Sequence, residues 1–221
     1  PRFKVVPLDY QREAAYALIS NPNGLLGDPY GSGKTYSTLF AAEYLFQKNQ
    51  IQKALYITTR NNRDQVKDII LNATYTHPDE IFIPLSMNQI INMFSNESKQ
   101  QWQKIKYIVL SLSLFSELKK KNENTFSTLG TETQLLILDE GHLVDNPLTN
   151  RYAAIRSLPI NIRKWVITAS FYQHNEKQLW VILNLLYPKE FPSFEEFISF
   201  YTQDQKGRML LNRKLKPLMT R

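Results

Sequence analysis

Cysteine is absent from the 221-residue sequence, so the chain has no disulfide framework and no thiolate metal site. No apolar run approaches the ~20 residues needed to cross a bilayer as a helix. The opening stretch PRFKVVPLDYQRE lacks the long apolar core of a secretory signal. These absences exclude a disulfide-stapled scaffold and a helical membrane span, and no membrane partner is expected. They suit an intracellular chain, in which the Asn-X-Ser/Thr triplets at Asn72 and Asn96 are chance matches. Internal repeats and low-complexity linkers are missing too. Negative charge is in short supply: 27 Lys and Arg stand against 20 Asp and Glu, a net charge of +7. That balance favours a polyanionic partner through long-range attraction, without naming one. The hydrophobic fraction of 43% is ordinary for a globular protein and lets a chain of this length bury a sizeable core.

Short apolar, β-branched runs alternate with longer amphipathic stretches, the pattern of a parallel sheet covered by helices on both faces. Strands are expected at residues 24–27, 54–58, 81–84, 107–111, 135–139 and 165–169. Helices are expected at 10–20, 34–48, 63–71, 87–94, 178–186 and 194–201. The polar stretch 119–132 reads as a surface loop. After about Pro188 the strand pattern stops, and a basic segment over 206–221 closes the chain. The sequence therefore divides into a sheet domain over 1–188 and an extension over 189–221.

The strongest motif is Gly27-Asp-Pro-Tyr-Gly-Ser-Gly-Lys-Thr35, set between an apolar strand and a helical stretch, the context a phosphate-binding loop requires. Gly31 and Gly33 let the backbone curl so that successive N–H groups, with that of Ser32, point at phosphate oxygens. The helix start adds its positive dipole end. Lys34 is expected to reach the β- and γ-phosphates of ATP, and the Thr35 hydroxyl to take a magnesium position. Asp28 stands where the strict pattern has glycine. Downstream, Leu135-Leu-Ile-Leu-Asp-Glu-Gly-His142 is an apolar strand ending in two acids. A carboxylate at a strand's carboxyl end faces the crevice where ligands bind in open α/β sheets. Asp139 is expected to hold magnesium through its water shell, and Glu140 to orient and deprotonate the attacking water. His142 is expected to couple the site to its neighbours rather than to catalyse.

At these residues the sequence resembles the first RecA-like lobe of superfamily-two helicases, and specifically the Swi/Snf-type translocases. That family's phosphate loop begins Gly-Asp, as Gly27-Asp28 does, and its acidic box reads Asp-Glu-Gly-His with a later Asn, matching Asp139–His142 and Asn146. Further segments extend the likeness over nearly the whole chain. Leu8-Asp-Tyr-Gln-Arg-Glu13 is similar to the opening motif whose glutamine reads the adenine edge, a role falling on Gln11. Residues 54–60 and 107–113 sit where the family's first DNA-contacting motifs lie, which implies DNA contacts from Thr58, Thr59, Arg60 and Ser111. The stretch 166–170 resembles the motif coupling hydrolysis to lobe movement, with Thr168 and Ser170 as its hydroxyls. Here it runs Thr168-Ala-Ser-Phe171 where the family has Thr-Gly-Thr-Pro, and Pro29-Tyr30 replaces an acidic-hydrophobic pair. Residues 178–188, 194–197 and 215–221 match the segments that follow.

The resemblance implies an α/β, RecA-like P-loop fold with a mostly parallel sheet. It implies ATP and magnesium as cofactors, duplex DNA as partner (RNA being the alternative), and hydrolysis coupled to translocation. Such a motor closes two lobes on one nucleotide, so residues 189–221 are expected to lead towards a second RecA-like lobe in the same or another chain. An isolated first lobe should hydrolyse ATP poorly, because an arginine finger from a partner is worth ~10³–10⁵ in rate in related phosphoryl-transfer enzymes. Two alternatives stay open: a strand-separating helicase, and a non-hydrolysing lobe kept for binding or assembly.

Overall fold

The computed structural model describes residues 3–27, 31–144, 146–159, 162–169, 176–215 and 219–220. The chain opens with α1 (Asp9–Ser20), β1 (Asn23–Leu26), α2 (Lys34–Gln47), β2 (Ala54–Thr58) and α3 (Arg63–Ala73). It continues through β3 (Ile81–Phe82), α4 (Met87–Met93), α5 (Lys99–Lys104), β4 (Tyr107–Ser111), α6 (Leu112–Lys121), α7 (Glu123–Glu132) and β5 (Leu135–Leu138). It ends with α8 (Asn150–Arg156), β6 (Arg163–Ile167), α9 (Glu176–Leu186), α10 (Phe194–Tyr201), α11 (Gln205–Leu215) and β7 (Met219–Thr220). Among the described residues the strands form one sheet in the order β3-β4-β2-β5-β6-β1-β7, and every neighbouring pair is parallel.

The near-continuous apolar strands are explained by cover on both faces. Side chains alternate across the sheet. Leu55, Ile57, Ile108, Leu110, Leu136 and Leu138 enter a core shared with residues of α4 to α11. Ala54, Tyr56, Tyr107, Val109, Leu135 and Ile137 enter a second core with residues of α1, α2 and α3. All twelve are at most 1% exposed.

Two expectations are corrected. The polar stretch 119–132 is helical rather than a loop: α6 runs to Lys121, and α7 starts after Asn122, whose side chain accepts from Thr125 N–H at 3.0 Å. Phe115 and Phe126 bury their rings against each other (centroids 5.0 Å apart), so both polar helices have an apolar stripe. Strand structure also resumes after Pro188. β7 pairs with β1 in the register Leu25 with Met219 and Leu26 with Thr220, while Phe191, Phe197, Leu211 and Leu215 join the first core. Among the described residues no helix is long and apolar enough to cross a membrane.

A candidate nucleotide site at the carboxyl ends of the strands

Gly33 caps α2 at φ 73°, ψ 27°, and Gly31 has φ 78°, both in the left-handed region open to glycine at little cost. A Cβ on Gly33 would sit 2.5 Å from Gln11 Nε2, so the loop closes directly on the Gln11 amide. Gln11 is 8% exposed, and its Oε1 accepts the Leu8 N–H at 3.0 Å, capping α1. Lys34 and Thr35 follow as the first residues of α2. Asp28 and Ser170 lie outside the described residues.

On the facing side β5 ends at Leu138, and the Asp139 N–H donates to Ile57 O at 2.8 Å, holding the acid in line with β2. Both carboxylate oxygens of Asp139 are engaged. Oδ1 accepts the Glu140 N–H at 3.0 Å; Oδ2 accepts the Tyr56 and Thr58 hydroxyls, each at 3.3 Å. Burial raises the Asp139 pKa, and neighbouring Glu140 raises it further, against the lowering effect of these hydrogen bonds. Glu140 has φ 57°, a conformation that costs a residue with a Cβ roughly 1–2 kcal/mol. Gly141 comes next because a Cβ there would lie 2.4 Å from Val166 Cγ1. The Glu140 Oε2 and His142 Nδ1 atoms stand 3.2 Å apart.

One cavity of about 370 Å³ collects Gly31, Gly33, Lys34, Thr35, Asp139, Glu140 and Thr168. Asn62 and Gln65, from the start of α3, also line it, although no motif marks them. Tyr56 was missed as well. It is fully buried, and its hydroxyl bonds the Thr35 side chain as well as Asp139, joining the two expected magnesium positions. A tyrosine inside an otherwise aliphatic strand was the available signal. Burial and these neighbouring acids push its hydroxyl pKa well up.

The expected DNA contacts divide. Thr58 is 0% exposed with its hydroxyl on Asp139, and Ser111 is 4% exposed and caps α6 by accepting the Leu114 N–H at 3.3 Å. Neither side chain presents itself to a backbone phosphate, which corrects that expectation for these two. Thr59 is half-buried and Arg60 exposed, beyond the end of β2.

Among the described residues no cluster of three or more His, Cys, Asp or Glu side chains is placed to cage a metal ion. The available donors are hard oxygens: the hydroxyls of Thr35, Tyr36 and Thr168 and the carboxylates of Asp139 and Glu140. Such a set fits magnesium, which keeps several waters and takes few protein carboxylates alongside substrate phosphates.

The family model for the SNF2-related domain matches residues 10–221. The chain belongs to the SNF2-related family. Curated relatives include the chromatin-remodeling ATPase INO80 of Pyricularia oryzae, 22% identical over 202 residues, covering 87% of this chain and 10% of that protein. The SWI/SNF chromatin-remodeling complex subunit snf22 of Schizosaccharomyces pombe is 26% identical over 212 residues, covering 87% of this chain and 11% of that protein. The chain thus spans about a tenth of these SNF2-related proteins. Among solved structures, the Sulfolobus solfataricus SWI2/SNF2 ATPase core in complex with dsDNA matches with a TM-score of 0.79 at 17% identity, covering 98% of this chain and 44% of that one. The core domain of the same name matches at 0.75 and 15%, covering 99% and 45%. These likenesses establish the fold of the SWI2/SNF2 ATPase core.

Proposed function

We propose that the chain is the ATP-binding lobe of a DNA-dependent ATPase that couples hydrolysis to translocation along duplex DNA. The observation that carries this is the single cavity joining Lys34 and Thr35 on α2 with Asp139 and Glu140 beyond β5. Lys34 meets the β- and γ-phosphates of ATP, and the backbone of 31–33 cradles them. Thr35 and Asp139 would hold magnesium, which would neutralise phosphate charge. Glu140 orients and deprotonates the attacking water, and His142 beside it links the site to its surroundings. Gln11, packed on Gly33, reads the adenine edge. Thr168, lining the same cavity at the end of β6, links nucleotide state to lobe movement, with Ser170. Thr59 and Arg60 supply phosphate-backbone contacts that do not read sequence. Residues 1–188 form most of the body of the lobe, to which Phe191, Phe197, Leu211 and Leu215 add core and Met219–Thr220 a strand. Residues 189–221 lead towards a second RecA-like lobe that supplies the transition-state arginines.

The test uses the intact protein. Glu140→Gln should retain nucleotide binding and lose DNA-stimulated ATP turnover by roughly 10²–10⁴-fold, the usual contribution of a general base. Unchanged turnover would overturn the hydrolytic assignment. Displacement of a third strand from duplex DNA without separation of the duplex supports translocation; strand separation would move the protein to the helicase alternative.

A further inference from the structure

Lys164 is the second residue of β6, in register with Asn23 of β1 and Leu136 of β5. This is the amino end of the sheet, ~13 Å along the strand from Thr168 and the nucleotide cavity. Lys164 is only 6% exposed. Its alternation with Trp165 and Val166 puts it on the face covered by α8 and α9. There it lines a second cavity, of about 250 Å³, together with Arg156, Lys189, Asn23, Tyr187 and Glu190.

The charges in this cavity are unbalanced. Among the described residues no ion pair joins Lys164 or Arg156 to a carboxylate. Glu190, the acid on the wall, lies 3.8 Å from Lys214, and burial, with Glu190 after it, raises the Tyr187 hydroxyl pKa. Burial, and after it the Arg156 guanidinium, lower the pKa of the Lys164 ammonium. A buried cation beside a second cation is costly unless an anion is shared between them. Asn23 Nδ2 and the Tyr187 hydroxyl are already committed to the backbone, donating to Leu186 O (2.7 Å) and Asn23 O (2.6 Å). Arg156 shares a side-chain hydrogen bond with Tyr152, so the donor capacity left in the cavity lies on Lys164 and the remaining N–H groups of the Arg156 fork.

We propose that this cavity binds a small phosphate-bearing anion, held between Lys164 and Arg156 with Lys189 at the rim. An arginine fork and a lysine point charge together match a phosphate dianion. The volume lies below the ~300 Å³ at which drug-sized ligands are usually held, so the occupant is inorganic phosphate or a compact phosphate monoester and not a nucleotide. This site shares β1 and β6 with the phosphate-loop cavity but lies at their amino ends and has no lining residue in common with it.

The phosphate loop also attracts phosphate, so the test starts from Lys34→Ala. Inorganic phosphate is titrated into this variant and followed by phosphorus NMR line width at constant ionic strength, with chloride as the balancing anion. Saturable binding is expected to survive in Lys34→Ala and to weaken about tenfold or more when Lys164→Met or Arg156→Gln is added, the cost of losing a charge-assisted hydrogen bond. Arg156 is exposed, so its variant keeps the core intact if Lys164→Met disturbs folding. Glycerol phosphate in a second arm identifies the source. Tighter binding than phosphate points to an ester, equal or weaker binding to the free ion, and both support the site. Loss of binding in Lys34→Ala alone, equal affinity in all three variants, or a response that chloride reproduces would overturn it.

Discussion

The two faces of the sheet are built from the same strands and differ in what those strands put into them. Towards α4 to α11, β2, β4 and β5 present leucines and isoleucines throughout. Towards α1 to α3 the same strands present two tyrosines among the aliphatics. Tyr107 and Thr76 donate to Glu43 Oε1, both at 2.9 Å, while Tyr56 and Thr58 donate to Asp139 Oδ2. The difference follows from register. Asp139 continues the alternation of Leu135 and Ile137, so it emerges on the face carrying α2, where Thr35 begins. On the first face these three strands contribute apolar burial alone. The other fixes the direction of buried polar groups, because an unpaired one there would be expensive.

The largest effect expected from breaking this contrast is on the apolar face. Leu110→Ala, at a fully buried site, should cost about 2–5 kcal/mol of stability, measured by denaturant unfolding, without altering how nucleotide binding depends on magnesium. A change in that dependence would show that the apolar face also positions the site. Tyr56→Phe should act the other way round. Losing the hydrogen bonds to Asp139 and Thr35, about 0.5–1.5 kcal/mol each, leaves the fold in place but raises the magnesium concentration needed for nucleotide binding by roughly 10-fold or more. Fluorescent-nucleotide titrations at several magnesium concentrations measure this, and identical curves would reduce Tyr56 to packing.

Glu43→Gln is the subtlest. Burial raises the Glu43 pKa above its ordinary value, so the folded state favours the neutral acid. That stabilisation is complete at pH below the unfolded value of 4.5 and is lost as pH rises through the folded one. A glutamine oxygen can still accept from Thr76 and Tyr107 while carrying no charge. The variant should therefore be more stable than the parent at neutral pH, with the gap closing as pH falls towards 4.5. A gap that stays constant with pH would mean that Glu43 does not titrate on unfolding.

The sequence made this contrast only half legible. Ala54–Thr58 and Tyr107–Ser111 were readable to the residue, because buried parallel strands are unbroken apolar runs between polar punctuation. Lys34, Thr35, Asp139 and Glu140, which line one cavity, could be singled out because each pair sits within a short local motif. The helical state of α7 was hidden by its Thr, Glu and Asn content, and its Phe126 and Leu129 are too few to establish a period without the partner surface of α6. Tyr56, Asn62 and Gln65 were hidden for another reason: their relation to the site depends on which strand lies beside which. That order, β2 next to β5 and not β1, is a tertiary fact. Burial likewise separated Thr58 and Ser111 from Thr59 and Arg60, which the motif grouped together.

The placing of β1 between β6 and β7 has a consequence for how the protein is made. During synthesis β2, β4 and β5 can find one another as soon as β5 has emerged. The strand that leads into the phosphate loop must wait for Arg163–Ile167 and then Met219–Thr220 before both its edges are paired. Parallel pairings over such sequence separations form slowly. The nascent chain therefore carries β2, β4 and β5 together before β1 meets its first neighbour, and the phosphate loop is anchored beside Asp139 only once β6 has emerged to bridge them.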